Sequence, residues 1–199
     1  MARIKLTKNE LRRQKEALKR FRRYLPMLLL KKQQLQAEIF KIHKKINELE
    51  KQFNGVRENV FIWADVFAED AGIDKIISVE DILTENGNIA GLDIPLYKGI
   101  NFKIESYDLM LTPLWVDSAL VEIKRAAELN ARLIIADKQS TILQDELRIT
   151  TQRVNLFEKI KIPEAKENIR FISIYLGELQ TQEVVRGKIA KAKIERTRV

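Results

Sequence analysis

Few side chains in this sequence could carry out catalytic chemistry. The chain has one histidine and no cysteine, which leaves no thiolate for a metal site or a nucleophile. The histidine, His43, stands among Lys41, Lys44 and Lys45, a pattern that predicts a solvated helix face rather than a general base. A nucleophile–base–orienter triad would need a second candidate base of this kind, and the sequence offers none.

Paired carboxylates and glycine-rich loops are the remaining sources of chemistry. The acidic pairs could bind a hard cation or act as acid and base; they are Glu69-Asp70, Glu80-Asp81 and Asp145-Glu146. Adjacent residues on a helix face different directions, so we expect solvated surface at these pairs. The phosphate-binding patterns G-x-x-x-x-G-K-[ST] and G-x-G-x-x-G after a strand are absent from the sequence. We therefore expect a non-catalytic chain without a cofactor or metal.

Basic residues are concentrated at the two ends of the chain. Residues 1–50 carry a formal net charge of +10, residues 51–185 carry −7 and residues 186–199 carry +5. The candidate interface residues are Arg12, Arg13 and Lys19 near the start and Arg186, Lys188, Lys191 and Lys193 near the end. Three interpretations stay open at this point: a nucleic-acid site of the basic-helix type, solvated flanks, and a surface for a protein partner.

The first seventy residues repeat apolar side chains every seven positions. Two registers interleave at spacings of three and four, as in a coiled-coil seam. One register reads Ile4, Leu11, Leu18, Leu25, Ile39, Ile46, Phe53, Val60 and Phe67, with Lys32 as its only break, and the other reads Phe21, Leu28, Leu35, Ile42, Leu49, Val56 and Trp63. Pro26 opposes a regular helix, so we expect a kink there or a helix that starts just before it.

A second long helix is predicted to begin at Thr112-Pro113, a suitable N-cap and first-turn pair, and to run nearly to the end. Its seam residues are Ala126, Leu129, Leu133, Ala136, Ser140, Leu143, Leu147, Thr150, Val154 and Phe157, followed by Ile162, Ala165, Ile169, Ile172, Leu176 and Leu179. From Val154 to Ala165 the step is eleven residues where ten would keep the register. Such a step locally unwinds a supercoil, and Pro163 inside it favours a bend.

Between the helices, residues 72–112 are rich in glycine and β-branched residues, and Asn86-Gly87 is a tight-turn signal. The predicted fold is mainly α: a long antiparallel two-helix coiled coil, or helical hairpin, with a small β-hairpin insert. Its domains are 1–71, 72–112 and 113–199. We expect the insert to contribute little to the stability of the helices, and the two basic ends to lie side by side as one basic tip.

Two sequence motifs carry a family resemblance. Residues 153–163, RVNLFEKIKIP, and residues 28–35, LLLKKQQL, resemble segments of the central-stalk D subunits of V/A-type rotary ATPases and ATP synthases. Gln33, Gln34 and Pro26 depart from the family's usual residues, which indicates a divergent branch. No apolar run is long enough for a membrane span.

The resemblance implies a rotor that couples ATP hydrolysis or synthesis to ion transport. The implied partners are the catalytic and non-catalytic ring subunits around the termini, with a small central-stalk subunit and a membrane-rotor adaptor at the other end. It also implies a cytoplasmic chain, peripheral to the membrane within the complex. A coiled-coil nucleic-acid-binding or scaffold protein is the alternative.

Overall fold

The computed structural model describes residues 4–62, 73–108, 112–113 and 115–197. Helix α1 spans Lys8–Ile62 and helix α2 spans Ile73–Ile76. Strands β1 (Ile77–Ile89) and β2 (Leu92–Ile104) form one two-stranded antiparallel sheet. Helix α3 (Trp115–Asn155) continues through a π-helical turn, Leu156–Lys161, into helix α4 (Ile162–Thr197).

Helix α1 begins with a side-chain N-cap. The hydroxyl oxygen of Thr7 accepts a hydrogen bond of 3.2 Å from the backbone N–H of Glu10, and the Glu10 carboxylate lies in the first turn, where the helix dipole favours a negative charge. Pro26 lies inside this helix, so the expectation of a helix start beside Pro26 is wrong. Pro26 is exposed, and the carbonyl of Arg22 that its missing N–H would have bonded is left for solvent or a partner.

The predicted seam is confirmed at every described position except Leu179. Each seam position of α1 from Leu11 to Val60 is buried or half-buried, including Lys32, and so is Ile4, which precedes the helix. The same holds from Ala126 to Leu176 in the second helical stretch, whereas Leu179 is exposed. Trp63 and Phe67 lie outside the described residues. Helix α3 begins at Trp115, two residues after the predicted first turn, and the N–H of Val116 donates to the carbonyl of Pro113 over 3.1 Å.

The chain divides into two compact units. The first contains residues 1–32 and 149–199, and the second contains residues 33–148. In the first unit the rings of Phe21 and Phe157 stack with centroids 5.4 Å apart, which joins α1 to the π turn across the seam.

The second unit shows that the long helices run antiparallel. Early α1 residues pack with late α3 residues in one core cluster, which contains Leu35, Ile42, Ile46, Ala136 and Leu143. Later α1 residues, Leu49 and Val56, pack with the earlier Leu129 in a second cluster. The mainly α fold class with a helical hairpin and a β-hairpin insert is therefore confirmed. The division into 1–71, 72–112 and 113–199 stays a prediction.

The β-hairpin packs against the helices of its own unit. Ile89, Ala90 and Leu92 at its tip contact the cluster around Leu35 and Leu143. Ile94 on β2 is 1% exposed. Residues of the predicted insert are thus part of the core of this unit, which does not agree with the expectation that the insert adds little to stability.

The turn of the hairpin lies four residues beyond the predicted position. Ala90 and Gly91 have φ angles of 53° and 80°, the left-handed conformation required at both central residues of a type I′ turn. The side-chain oxygen of Asn88 accepts from the N–H of Gly91 over 3.1 Å. Gly87 instead lies within β1, paired with Ile94, where the Leu96 side chain occupies the space that a Cβ would need. The expected turn at Asn86-Gly87 is therefore wrong.

The eleven-residue step coincides with the π turn. Val154 and Ala165, on either side of it, are both 3% exposed, so the seam is kept while one extra residue is absorbed. The N–H of Ile162 bonds the carbonyl of Phe157, five residues back, which is the bonding pattern of a π helix. Among the described residues, no helix is long and apolar enough to cross a bilayer.

Candidate partner-binding surface

The three N-terminal candidates lie on the outward side of α1. Arg12, Arg13 and Lys19 are exposed, whereas the neighbouring seam residues Leu11 and Leu18 are half-buried. Arg12 forms a 3.0 Å ion pair with Glu16, one turn away on the same helix, and both side chains are mostly solvent-exposed. Exposed pairs of this kind contribute little to stability and are screened by salt. These basic groups are therefore available to a partner at small energetic cost.

The C-terminal candidates lie on a part of α4 that is exposed along its whole length. Ile172 is fully buried and Leu176 is half-buried, but each residue from 177 to 196 is exposed. The stretch corresponds to about five turns of helix. The expectation that these basic residues lie beside the first turns of α1 is therefore wrong, because the last packed seam residue precedes them by ten positions. Arg198, at the chain end, lies outside the described residues.

The charges of this stretch are distributed around the helix. At about 3.6 residues per turn, Arg186 and Lys193 share one side, while Lys188 and Lys191 share the opposite side. Lys191 lies 3.9 Å from Glu195 in an exposed pair. Val184, Val185, Ile189 and Ile194 are each about half exposed and are likewise spread around the axis. We name residues 177–197 the terminal helix; its surface suits a partner that surrounds it better than one that contacts a single face.

The histidine and the carboxylate pairs that were considered for chemistry lie in ordinary helix and strand surroundings. The Gln144 amide nitrogen lies 3.4 Å from the His43 ring nitrogen, so His43 contacts α3 as well as solvent. Asp145 forms a 3.5 Å ion pair with Arg148. Glu80 and Asp81 lie on β1 at an irregularity of the pairing, not on a helix, and Glu69-Asp70 lie outside the described residues. Among the residues described, no cluster of His, Asp or Glu could hold a metal ion.

The β-hairpin packs on a face of α3 that the sequence did not predict to be covered. We call this face of α3 the hairpin seat. The side-chain amide of Gln139 donates to the carbonyl of Pro95, and the Arg132 guanidinium lies 5.2 Å from the centre of the Tyr97 ring. Burial, reinforced by the negative charge of Glu128, raises the pKa of Tyr97. Ala131 and Ile135 are buried although they lie off the seam.

One signal in the sequence could have revealed this seat. The run Leu133-Ile134-Ile135-Ala136 is apolar on more than one side of α3, and a helix that is apolar beyond one stripe is covered on more than one side.

Comparisons with known proteins find relatives over nearly the whole chain. The family model that describes the D subunit of ATP synthase matches residues 10–192. The chain is 47% identical over 196 residues to the V-type ATP synthase D subunit of Borreliella burgdorferi, with 98% of this chain and 96% of the relative covered. It is 34% identical over 195 residues to the protein of that name from Chlamydia abortus, with 96% and 94% covered. It is 35% identical over 196 residues to that from Chlamydia caviae, again with 96% and 94% covered.

Proposed function

The chain belongs to the family of ATP synthase D subunits and is a central-stalk subunit of a V-type rotary ATPase, in which we propose that it is the non-catalytic shaft. In this role the shaft couples ATP hydrolysis or synthesis in the catalytic ring to ion translocation in the membrane. The buried seam stiffens the hairpin, and the sequence has no nucleotide-binding motif of its own.

The terminal helix is the observation that supports this role most directly. It is exposed on every side from 177 to 196, and its positive charges face in opposite directions. A ring of catalytic and non-catalytic subunits would surround such a helix, whereas a flat partner would leave half of its charges in solvent. We therefore propose Arg186, Lys188, Lys191 and Lys193, with Arg12, Arg13 and Lys19 further along the same unit, as the ring-facing surface.

The remaining partners follow from the same role. The end of the hairpin away from the termini would engage the membrane-rotor adaptor, and a small central-stalk subunit would bind along residues 33–148. The chain would then be cytoplasmic and peripheral to the membrane, held there through the complex. Protons or sodium ions would fit this arrangement equally, because the transported ion does not contact the shaft.

The test removes the terminal helix or its charge. One variant lacks residues 187–199, and a second carries glutamine in place of the basic residues Arg186, Lys188, Lys191, Lys193 and Arg196. A matched control carries glutamine at five exposed basic residues of the other unit, namely Lys44, Lys51, Lys98, Lys103 and Lys138. The measurements are binding to the ring of catalytic and non-catalytic subunits, and ATP hydrolysis coupled to ion transport in the assembled complex.

Both tail variants are expected to stay folded, because the seam up to Leu176 is intact, and to lose ring binding or coupling while the control does not. At about 0.15 M salt, screening acts over roughly 8 Å, so enclosed charges should matter more than exposed ones. Normal assembly and coupling in both variants would refute the proposed role of the tail. Loss of DNA binding with a steep salt dependence would instead support the nucleic-acid alternative.

A further inference from the structure

A small cavity lies where the β-hairpin meets the two long helices of the second unit. Its volume is about 320 Å³, and residues of α1, β2 and α3 line it. Its apolar walls are formed by Leu49, Leu96, Ile135 and Ala136. Three of these residues are buried, whereas Leu96 is 40% exposed. The cavity therefore has an apolar floor within the core and opens to solvent beside Leu96.

The polar side chains described around the cavity each carry a hydrogen-bond donor. They are Lys45, Tyr97, Arg132 and Gln139. Gln139 is buried, and its amide N–H donates to the carbonyl of Pro95, which fixes this side chain between α3 and β2. The Arg132 guanidinium is held by the Glu128 carboxylate and by the Tyr97 ring. These contacts order the wall before a ligand binds, which lowers the entropy cost of binding.

The charges at the cavity leave one positive group without a counterion. Arg132 is paired with Glu128, one turn away on α3. Lys45 is exposed and lines the cavity, and it forms no ion pair with any residue that the structure describes. The net charge of these three groups is therefore +1. A single negative charge would balance it, whereas Glu128 would repel a second one.

The size and the walls of the cavity give the chemistry of its ligand. Small-molecule sites have volumes of about 300–1,000 Å³, so this cavity lies at the lower end of the range and suits a ligand smaller than a nucleotide. Water against the apolar walls is poorly held, and its displacement by an apolar group gains affinity. A carboxylate on Lys45 would keep its hydrogen bonds at the same time. The cavity thus suits one negative charge on a small apolar body.

We propose that the second unit binds a small aliphatic monocarboxylate in this cavity, with the carboxylate on Lys45 and the aliphatic body against Ile135 and Ala136. The site goes beyond the shaft role, since all of its residues belong to one compact unit and none is among the proposed ring-facing residues. The ligand would contact β2 as well as both long helices. Its binding would therefore also hold the hairpin on the hairpin seat.

The test titrates the full-length chain with isocaproate and follows the side-chain amide of Gln139 and the ring of Tyr97 by NMR. A ligand of this size is expected to bind with a Kd on the order of 1 mM. Three further probes separate charge from body: isocaproamide has the body without the charge, acetate has the charge without the body, and inorganic phosphate carries a second charge. Each is expected to bind at least about tenfold more weakly than isocaproate.

Substitutions at Lys45 test the role of its ammonium group. Lys45→Gln should weaken isocaproate binding roughly tenfold, because a hydrogen bond to a charged group is lost. Lys45→Glu should abolish it and bind isoamylamine instead, which has the same branched chain with a positive charge. The matched control is Lys44→Gln at the exposed neighbour, which does not line the cavity and should bind like the parent. Both lysines are exposed, so thermal melting by circular dichroism should be unchanged in every variant.

Saturable shifts at Gln139 and Tyr97 that are lost in Lys45→Gln and kept in Lys44→Gln would support the site. Absence of saturation at about twenty times the expected Kd would overturn it. Equal binding of isocaproamide would show that the carboxylate has no role, and tighter binding of phosphate would assign the site to another anion; both contradict the proposal. An equal loss in Lys44→Gln would show general charge attraction instead of a site. The ring-binding variants test the shaft function separately, so either proposal can fail alone.

Discussion

Substitution of Ile94 by alanine tests whether the β-hairpin is a packed layer of the second unit. Ile94 is 1% exposed on β2, and removal of a buried isoleucine side chain down to Cβ costs about 2–5 kcal/mol, depending on how far the site collapses. The hairpin has only two strands and can move toward the helices, so we expect about 2–3 kcal/mol. The matched control is Val79→Ala on β1, where the side chain is 50% exposed and the cost should stay within about 0.5 kcal/mol.

The loss of stability caused by Ile94→Ala can appear as global unfolding of the unit or as local detachment of the hairpin, and each has its own measurement. If the unit unfolds as a whole, urea titration followed by circular dichroism shows the full difference in the free energy of unfolding. If the hairpin detaches locally, the helical signal is unchanged, but amide hydrogen exchange in β1 and β2 accelerates by roughly 30- to 150-fold. A variant that matches Val79→Ala in both measurements would refute the packed layer, and the insert would then be the minor contributor to stability that the sequence predicts.

Three more predictions concern the π turn and the hairpin. Deletion of Lys159 in the π turn should leave the chain folded, with a melting temperature close to that of the parent, because it restores the seven-residue spacing of the seam. Deletion of the exposed Lys138 is the control. It should rotate every later seam residue by about 100° and cause marked loss of helicity on mild heating. Gly87→Ala should destabilise the hairpin by about 1–3 kcal/mol in urea titration, since the new Cβ would lie 2.5 Å from Leu96 Cδ1; an unchanged midpoint would show that Leu96 moves freely. Because burial raises the pKa of Tyr97, the stabilisation from its neutral form should be fully present below about pH 10 and lost as pH rises through the higher folded pKa. The free energy of unfolding from urea titration should therefore fall more steeply with alkaline pH in the parent than in Tyr97→Phe.

The helices could be predicted because their signal is local and repetitive. Each heptad position from Ile4 to Val60 reports the same seam, so one break at Lys32 does not change the result. The extra residue between Val154 and Ala165 was also visible in the spacing. Its form, a π turn, was not, because spacing fixes only the number of residues and not the hydrogen bonds that accommodate them.

The hairpin was located from sequence but its turn and its packing were not. Asn86-Gly87 is a stronger turn signal than Ala90-Gly91, yet Gly87 lies within β1, where the Leu96 side chain, diagonally across from it, fills the space that a Cβ would need. Contacts such as Gln139 with Pro95 join residues 44 positions apart, and no periodicity reports them. The charge pattern likewise identified the basic ends, but it carries no information on which residues pack together. It therefore placed the terminal helix incorrectly beside α1.

The exposed terminal helix has a consequence for copies of the chain that have not been assembled. A helix of about twenty residues without a packed neighbour is only marginally stable in water, and its lysines and arginines are the residues that trypsin-like proteases recognise. Unassembled chains are therefore expected to lose this segment first under limited proteolysis, and the proposed contact with the ring would protect it. Proteolysis of a free chain would thus begin at its exposed C-terminal helix and leave the packed part of the hairpin behind.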